Sequence, residues 1–265
     1  MTRPRNYQTE AVIIKKTRLG EADSILTMYT PDMGKIQGFA KSLRRPRSKM
    51  AGHLELLTHS KVSLARGRNL DTITGSQTIT GFLPLKNDLW LTSCGLYVIE
   101  LINQFTADHV ENPSLFRLLL DAMHNLCQED TNKETVLRYF ELRLLGEVGY
   151  RPQLQRCVTC KSPLQPVTNY FSPAAGGALC PDCGPRQSLS QRLTVNALKV
   201  LRFLQENDYE TVNRLKIDRA LSRELEIIMR SHIKYLLERD VKSVEWLDTL
   251  RAQMGQAEAS QQVTP

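Results

Sequence analysis

No apolar run in the sequence approaches the roughly 18 residues that a membrane-spanning helix needs, so an integral membrane protein is not expected. The first ten residues, MTRPRNYQTE, lack an apolar stretch, so no secretory leader is expected and the cytoplasm is the expected compartment. There is no G-x-x-x-x-G-K-[S/T] phosphate loop, no internal repeat, and no low-complexity tract before residue 250. No residue set pairs a nucleophile with its base and the acids form no evident metal cluster, so catalysis is not expected. Aromatics make up 6% of the chain; Tyr7, Tyr29 and Phe39 are the only ones before Phe82, and each reads as packing rather than as a base-stacking platform. Cysteine is sparse, with six in 265 residues. In a reducing compartment such cysteines are not a disulfide framework.

What the chain does have is an uneven charge. Its composition, 41% hydrophobic and 24% charged, is that of an ordinary globular protein, with a net charge of +7. Residues 1–80 hold 14 Lys and Arg against 6 Asp and Glu; the remainder holds 21 against 22. The whole excess therefore sits in the first third, which suggests a polyanion-binding end joined to a neutral scaffold. The densest stretch is GKIQGFAKSLRRPRSKMAG, with Lys35, Lys41, Arg44, Arg45, Arg47 and Lys49 and no acid. Lys15, Lys16 and Arg18 add charge nearby. Such a run is either a solvated loop or a site where a polyanion relieves mutual repulsion. An anionic membrane is the weaker polyanion, because there is no basic amphipathic helix here.

The pattern changes near residue 80. Before it, YQTEAVIIKK, SILTMYT, KIQGFAK, HSKVSLARG and NLDTITGSQTIT read as five short strands divided by turn residues, which fits a small barrel of the OB type or an SH3-like one. After it, helical spacing takes over, with Leu89, Cys94, Tyr97, Leu101 and Phe105 on one face. Asn112-Pro113 reads as a helix start, Thr131-Asn-Lys-Glu134 as a capping box and Gly149 as a helix end. Two more helices follow between 194 and 240. The polar tail from 251 to 265 is expected to be disordered. The expected fold is α+β: an N-terminal OB-fold barrel over 1–80, a mainly helical domain over 81–250, and an inserted four-cysteine element near 150–190.

That element reads CVTCKSPLQPVTNYFSPAAGGALCPDC. Cys157, Cys160, Cys180 and Cys183 form a C-x2-C-x19-C-x2-C array, which is zinc spacing. Four cysteines close the tetrahedron and leave no position for a catalytic water, so a structural Zn2+ is expected. A redox centre would need one C-x-x-C beside a βαβ unit. A zinc deaminase would need its proline before the second pair, whereas Pro181 lies inside it. Cys94 and Cys127 read as buried small hydrophobes.

Longer stretches resemble a known family. LGEADSILTMYTPDMGKIQGFAKSLRRPRSK is similar to the N-terminal signature of the RecO recombination mediators of bacteria, and FELRLLGEVGYRPQLQRCVTC and YFSPAAGGALCPDC are similar to that family's central helix and zinc segment. The resemblance covers about residues 7–240. Two positions depart from the pattern: Ser42 and Lys161 stand where the family tends to have glycine, which bears on local turn geometry. The resemblance implies an OB-fold, a helical domain and no enzymatic activity. It implies binding of single- and double-stranded DNA, annealing of complementary strands, and, with a RecR partner, loading of RecA onto DNA coated by single-strand-binding protein, in the cytoplasm at the nucleoid. It further implies that the helical domain docks the acidic tail of single-strand-binding protein, for which Arg138, Arg143 and Arg202 are candidate rim residues. The alternatives are a zinc-stabilised nucleic-acid-processing enzyme and a transcription regulator using residues 194–240 as a helix-turn-helix, although the positive excess lies at the other end of the chain.

Overall fold

A computed structural model describes residues 5–261, with side chains as far as residue 253. Five strands open the chain: β1 (Asn6–Leu19), β2 (Asp23–Thr30), β3 (Gly34–Ala40), β4 (His59–Ala65) and β5 (Asp71–Thr80). They close a barrel in the order β1-β2-β3-β5-β4, antiparallel throughout except for the β3–β5 pair. That order is the OB-fold. Alternation dictates the lining: Ala11, Ile13, Leu26, Met28, Ile36, Val62, Leu64 and Ile73 meet inside. A bulge between Ile13 and Lys15 breaks the strict alternation of β1, and all four residues of its AVII run are buried.

Helices α1 (Leu83–Asn87), α2 (Leu89–Phe105) and α3 (Pro113–Cys127) follow. Asp88 caps α2 through the Leu91 amide at 2.7 Å, and Asn112 caps α3 through the Leu115 amide at 2.9 Å, as its Asn-Pro start implies. On α2, Cys94, Tyr97 and Leu101 are buried as their spacing predicts, while Leu89 faces solvent.

Next come α4 (Lys133–Glu147), a three-stranded sheet of β6 (Asn169–Ser172), β7 (Gly177–Leu179) and β8 (Gln191–Leu193) in the order β7-β6-β8, then α5 (Val195–Glu206), α6 (Tyr209–Asn213) and α7 (Arg219–Leu237). The cap of α4 is Asn132, bonded to the Thr135 amide at 3.1 Å, rather than Thr131. Glu134 instead accepts a hydrogen bond from the Ser222 hydroxyl on α7. The cap thus falls one residue later than the expected box, and the acid of that box is bonded to α7. Gly149, at φ 85°, follows the last turn of α4 as expected. The last helix is α8 (Lys242–Gln261). The expected disorder from 251 is not what the structure describes as far as Gln261: the helix-forming Gln, Ala and Glu residues continue a helix anchored by buried Leu247 and Leu250. Residues 262–265 of that expected tail lie outside the described residues.

By packing, Met1–Cys127 with Val241–Pro265 form one compact unit and Gln128–Asp240 a second. The barrel thus groups with α1–α3 and α8. Among the described residues no helix is long and apolar enough to cross a membrane.

Candidate nucleic-acid interface and metal centre

The basic run occupies the start of the connection from β3 to β4. Its backbone turns at Ser42, which adopts a left-handed φ of 54°. The next residue, Leu43, is 1% exposed and enters the barrel core. The flanking cations Lys41, Arg45, Arg47 and Lys49 are exposed and, among the described residues, have no ion-pair partner. Strand register brings Arg18 to the same end of the barrel, because Arg18 pairs with Ser24 and Ser24 pairs with Ala40. Lys15, three residues earlier on β1, is exposed; Lys16 is paired with Glu55 at 3.2 Å.

Two of the expected cations have other work. Lys35 donates to the carbonyls of Asn103 (3.0 Å) and Thr106 (2.7 Å) at the end of α2, and faces Asp108 at 3.3 Å. A helix C-terminus attracts a cation in this way, so Lys35 is an internal tie and not part of the loop surface. Arg44 donates from its side chain to the Gly20 carbonyl and from its backbone to the Ala22 carbonyl (2.9 Å).

Arg66 and Arg68, in the turn between β4 and β5, were not among the expected site residues, although the Arg-Gly-Arg triplet is visible in the sequence. Arg66 lies over the Tyr7 ring at 4.7 Å. The Tyr7 hydroxyl donates to Asp71 at 2.6 Å, and burial with that carboxylate keeps it protonated far above its usual range. The groove beside them, about 700 Å³, carries Asp32, Asp71, Asp108 and Glu111 against Arg66 and His109. Of these carboxylates, Asp71 accepts from Tyr7 and Asp108 faces Lys35. Tyr29 is fully buried and Tyr7 is covered, in keeping with their reading as packing residues.

The metal centre is built by two similar turns. The Lys161 amide closes onto the Cys157 carbonyl (2.9 Å) and the Gly184 amide onto the Cys180 carbonyl (2.9 Å), so each C-x-x-C curls around one point. Glycine is needed at two close approaches: a Cβ on Gly177 would lie 2.3 Å from the Gln153 carbonyl oxygen, and one on Gly184 2.2 Å from the Tyr170 ring. The four sulfurs all lie within 4.8 Å of one another, with Cys160 and Cys180 at 3.7 Å. Sulfurs of a tetrahedral zinc site stand about 3.8 Å apart, from a Zn–S distance near 2.3 Å, so the set fits such an ion. None of the four is in a disulfide. Hydrogen bonds from Ser162 pull the Cys160 thiol down to about 6, while its sulfur neighbour Cys180 pushes Cys183 up to about 12. The four sulfurs could together hold a metal ion. Two H-x-E triplets occur in the chain, His53–Glu55 and His109–Glu111, and both lie in the unit that holds the barrel, outside the cysteine cluster.

Of the three arginines expected to rim a peptide groove, Arg138 is 3% exposed and bonded to Glu141 within its own helix. It is removed from that role because its charge is already neutralised inside the unit. Arg143 donates to the Gln205 carbonyl at 3.1 Å and Arg202 to the Leu154 carbonyl at 2.8 Å, both half-buried. Arg143 lines a pocket of about 230 Å³ with Leu142, Gly146, Glu147, Arg151 and Gln205. Arg151 is exposed, and no local pattern in the sequence marks it as part of this pocket.

Two family models match the chain: "Recombination protein O N terminal" over residues 1–82 and "Recombination protein O C terminal" over residues 86–245. A protein named DNA repair protein RecO from Dehalococcoides mccartyi is 47% identical over 251 residues, covering 95% of this chain and 98% of the relative. Proteins of the same name from a Roseiflexus species and from Symbiobacterium thermophilum are 39% and 31% identical, covering 94% and 93% of this chain and 87% and 98% of the relatives.

Proposed function

The chain belongs to the RecO family, whose named relatives are DNA repair proteins, and from that premise we propose that it is a DNA-binding recombination mediator and not an enzyme. The observation that carries this reading is the exposed set Arg18 and Lys41 at one end of an OB barrel with Arg45, Arg47 and Lys49 in the loop that continues from it. Phosphates are the natural counterions of such a set, and barrels of this type hold strands in cation-lined grooves. The contacts carry little base information, because phosphate contacts position a protein without specifying sequence. Both single- and double-stranded DNA are ligands on this reading. Two strands held on one cationic surface meet with their mutual repulsion screened, which is how the protein anneals complements without ATP. It acts in the cytoplasm, at the nucleoid.

Cys157, Cys160, Cys180 and Cys183 hold a structural zinc ion. The ion pins the irregular segment around β6–β8, whose own apolar content is small, and it takes no part in chemistry. The acidic tail of single-strand-binding protein docks at the Arg143–Arg151 pocket, with Leu142 beneath it, and a RecR-type partner joins the complex that loads RecA.

An ATP-free annealing assay on complementary oligonucleotides tests the reading. Acceleration that tracks with the purified protein and disappears at high salt is expected. No acceleration, or turnover of the DNA that follows the protein, contradicts it.

A further inference from the structure

The basic loop is not free to choose its shape. Ser42 begins it in a left-handed conformation that a residue with a side chain adopts only at a cost. The Asp23 carboxylate accepts the Ser42 amide at 2.6 Å. Two residues on, the Arg44 amide reaches the Ala22 carbonyl at 2.9 Å and its guanidinium reaches the Gly20 carbonyl. The Nε of Arg44 is buried, and the guanidinium reaches back to the β1–β2 turn. Between these ties Leu43 is seated in the barrel core. Three consecutive residues, 42 to 44, are thus fixed to the turn that carries Gly20, Ala22 and Asp23, while the cations on either side, Lys41 and Arg45, stay exposed.

Within the proposed DNA-binding role, on which this inference rests, we infer that Asp23 and Arg44 are positioning residues that lock the loop to the β1–β2 turn, so that Arg18, Lys41, Arg45, Arg47 and Lys49 present one fixed phosphate track. Asp23 is an acid beside a cationic surface, and by charge alone its carboxylate opposes DNA. Its geometry assigns the reverse effect. It holds the amide that starts the loop, and a loop without that tie scatters its cations over many arrangements, each of which must be ordered again on binding.

The opposed signs make the test sharp. Asp23→Ala removes the charge and the acceptor; Asp23→Asn removes the charge and keeps an acceptor oxygen for the Ser42 amide. Affinity for a single-stranded oligonucleotide is measured for both across a salt series, together with hydrogen exchange at residues 41–49. Loss of one or two phosphate contacts corresponds to about three- to tenfold weaker binding at moderate salt and a slope shallower by about 0.7 for each contact. That is the result expected for Asp23→Ala, with faster exchange in the loop, while Asp23→Asn binds as the wild type does or slightly tighter. Equal behaviour of the two variants, whether both tighter or both unchanged, overturns the assignment. If Asp23→Ala does not fold, Arg44→Lys replaces it. This variant keeps the charge but not the guanidinium's reach to Gly20, so weaker binding supports the lock and wild-type binding and slope overturn it. A separate control distinguishes the two levels of the account: if Arg45→Ala and Arg47→Ala leave affinity untouched, the DNA surface itself is misplaced, whatever Asp23 does.

Discussion

Arg138 and Glu141 form a two-point pair within α4, one turn apart, with side chains 4% and 0% exposed. Glu226 of α7 completes the group, 4.0 Å from Arg138 and 2.6 Å from Arg230. Breaking a buried pair leaves an uncompensated charge, which costs about 3–5 kcal/mol, whereas replacing the whole set by apolar residues of similar volume is often neutral. Glu141→Ala is therefore expected to lower the urea midpoint sharply. Arg138→Met with Glu141→Leu, Glu226 being kept as the partner of Arg230, is expected to be much less damaging than that single change. A mild effect of Glu141→Ala would show that the group is not sealed.

Ser42 and Lys161 share one feature: both stand at positive φ, 54° and 63°, where the family resemblance leads one to expect glycine. A left-handed L-residue costs roughly 1–2 kcal/mol, and glycine returns part of that through its freer unfolded chain. Ser42→Gly and Lys161→Gly should each stabilise the protein by about 0.5–1 kcal/mol in denaturant melts, without loss of bound metal. Destabilisation by either would mean that its side chain makes a contact worth more than the strain.

Freshly purified protein, never exposed to chelator, should carry one zinc per chain. Chelation, or Cys157→Ser, should raise hydrogen exchange across residues 150–190 and leave the barrel strands protected, because the ion ties only the loop around β6–β8. Elemental analysis without zinc contradicts this.

His232 is 1% exposed and packs edge-on against Phe171 at 5.3 Å between ring centroids. Burial pushes its pKa down from 6.5 to about 4. The unfolded chain then binds a proton between these values that the folded chain does not. Stability contributed by the neutral ring is full above pH 6.5 and is lost as pH falls toward 4, by up to about 3 kcal/mol. His232→Phe should flatten the decline in urea midpoint between pH 7 and 5 relative to wild type; a decline of unchanged steepness would place the cause in other groups.

The barrel was legible because each strand alternates or ends at a turn residue, and the metal site because four cysteines at that spacing have few other uses. Charge was legible in quantity but not in placement. Lys35 and Arg44 lie in the same run as Lys41 and Arg45, yet only tertiary register reveals that two of them are bonded to carbonyls of α2 and of the β1–β2 turn. Arg138-x-x-Glu141 has the spacing of an exposed ion pair on a helix, so nothing local announced its burial. The grouping of α8 with the barrel joins residues far apart in the chain, as where Glu100 on α2 accepts from the Lys242 and Ser243 amides, and no local pattern encodes it.

The central claim is that the exposed cations after β3 meet DNA phosphates. Lys41, Arg45 and Arg47 are changed together to Ala, Arg44 being left in place as a tie, and affinity for single-stranded DNA is measured at several salt concentrations with circular dichroism as the folding control. The account predicts a folded protein that binds every sequence more weakly, with a log K against log salt slope shallower by about 2, at roughly 0.7 for each of three lost contacts. A folded variant with unchanged affinity and unchanged slope would contradict it.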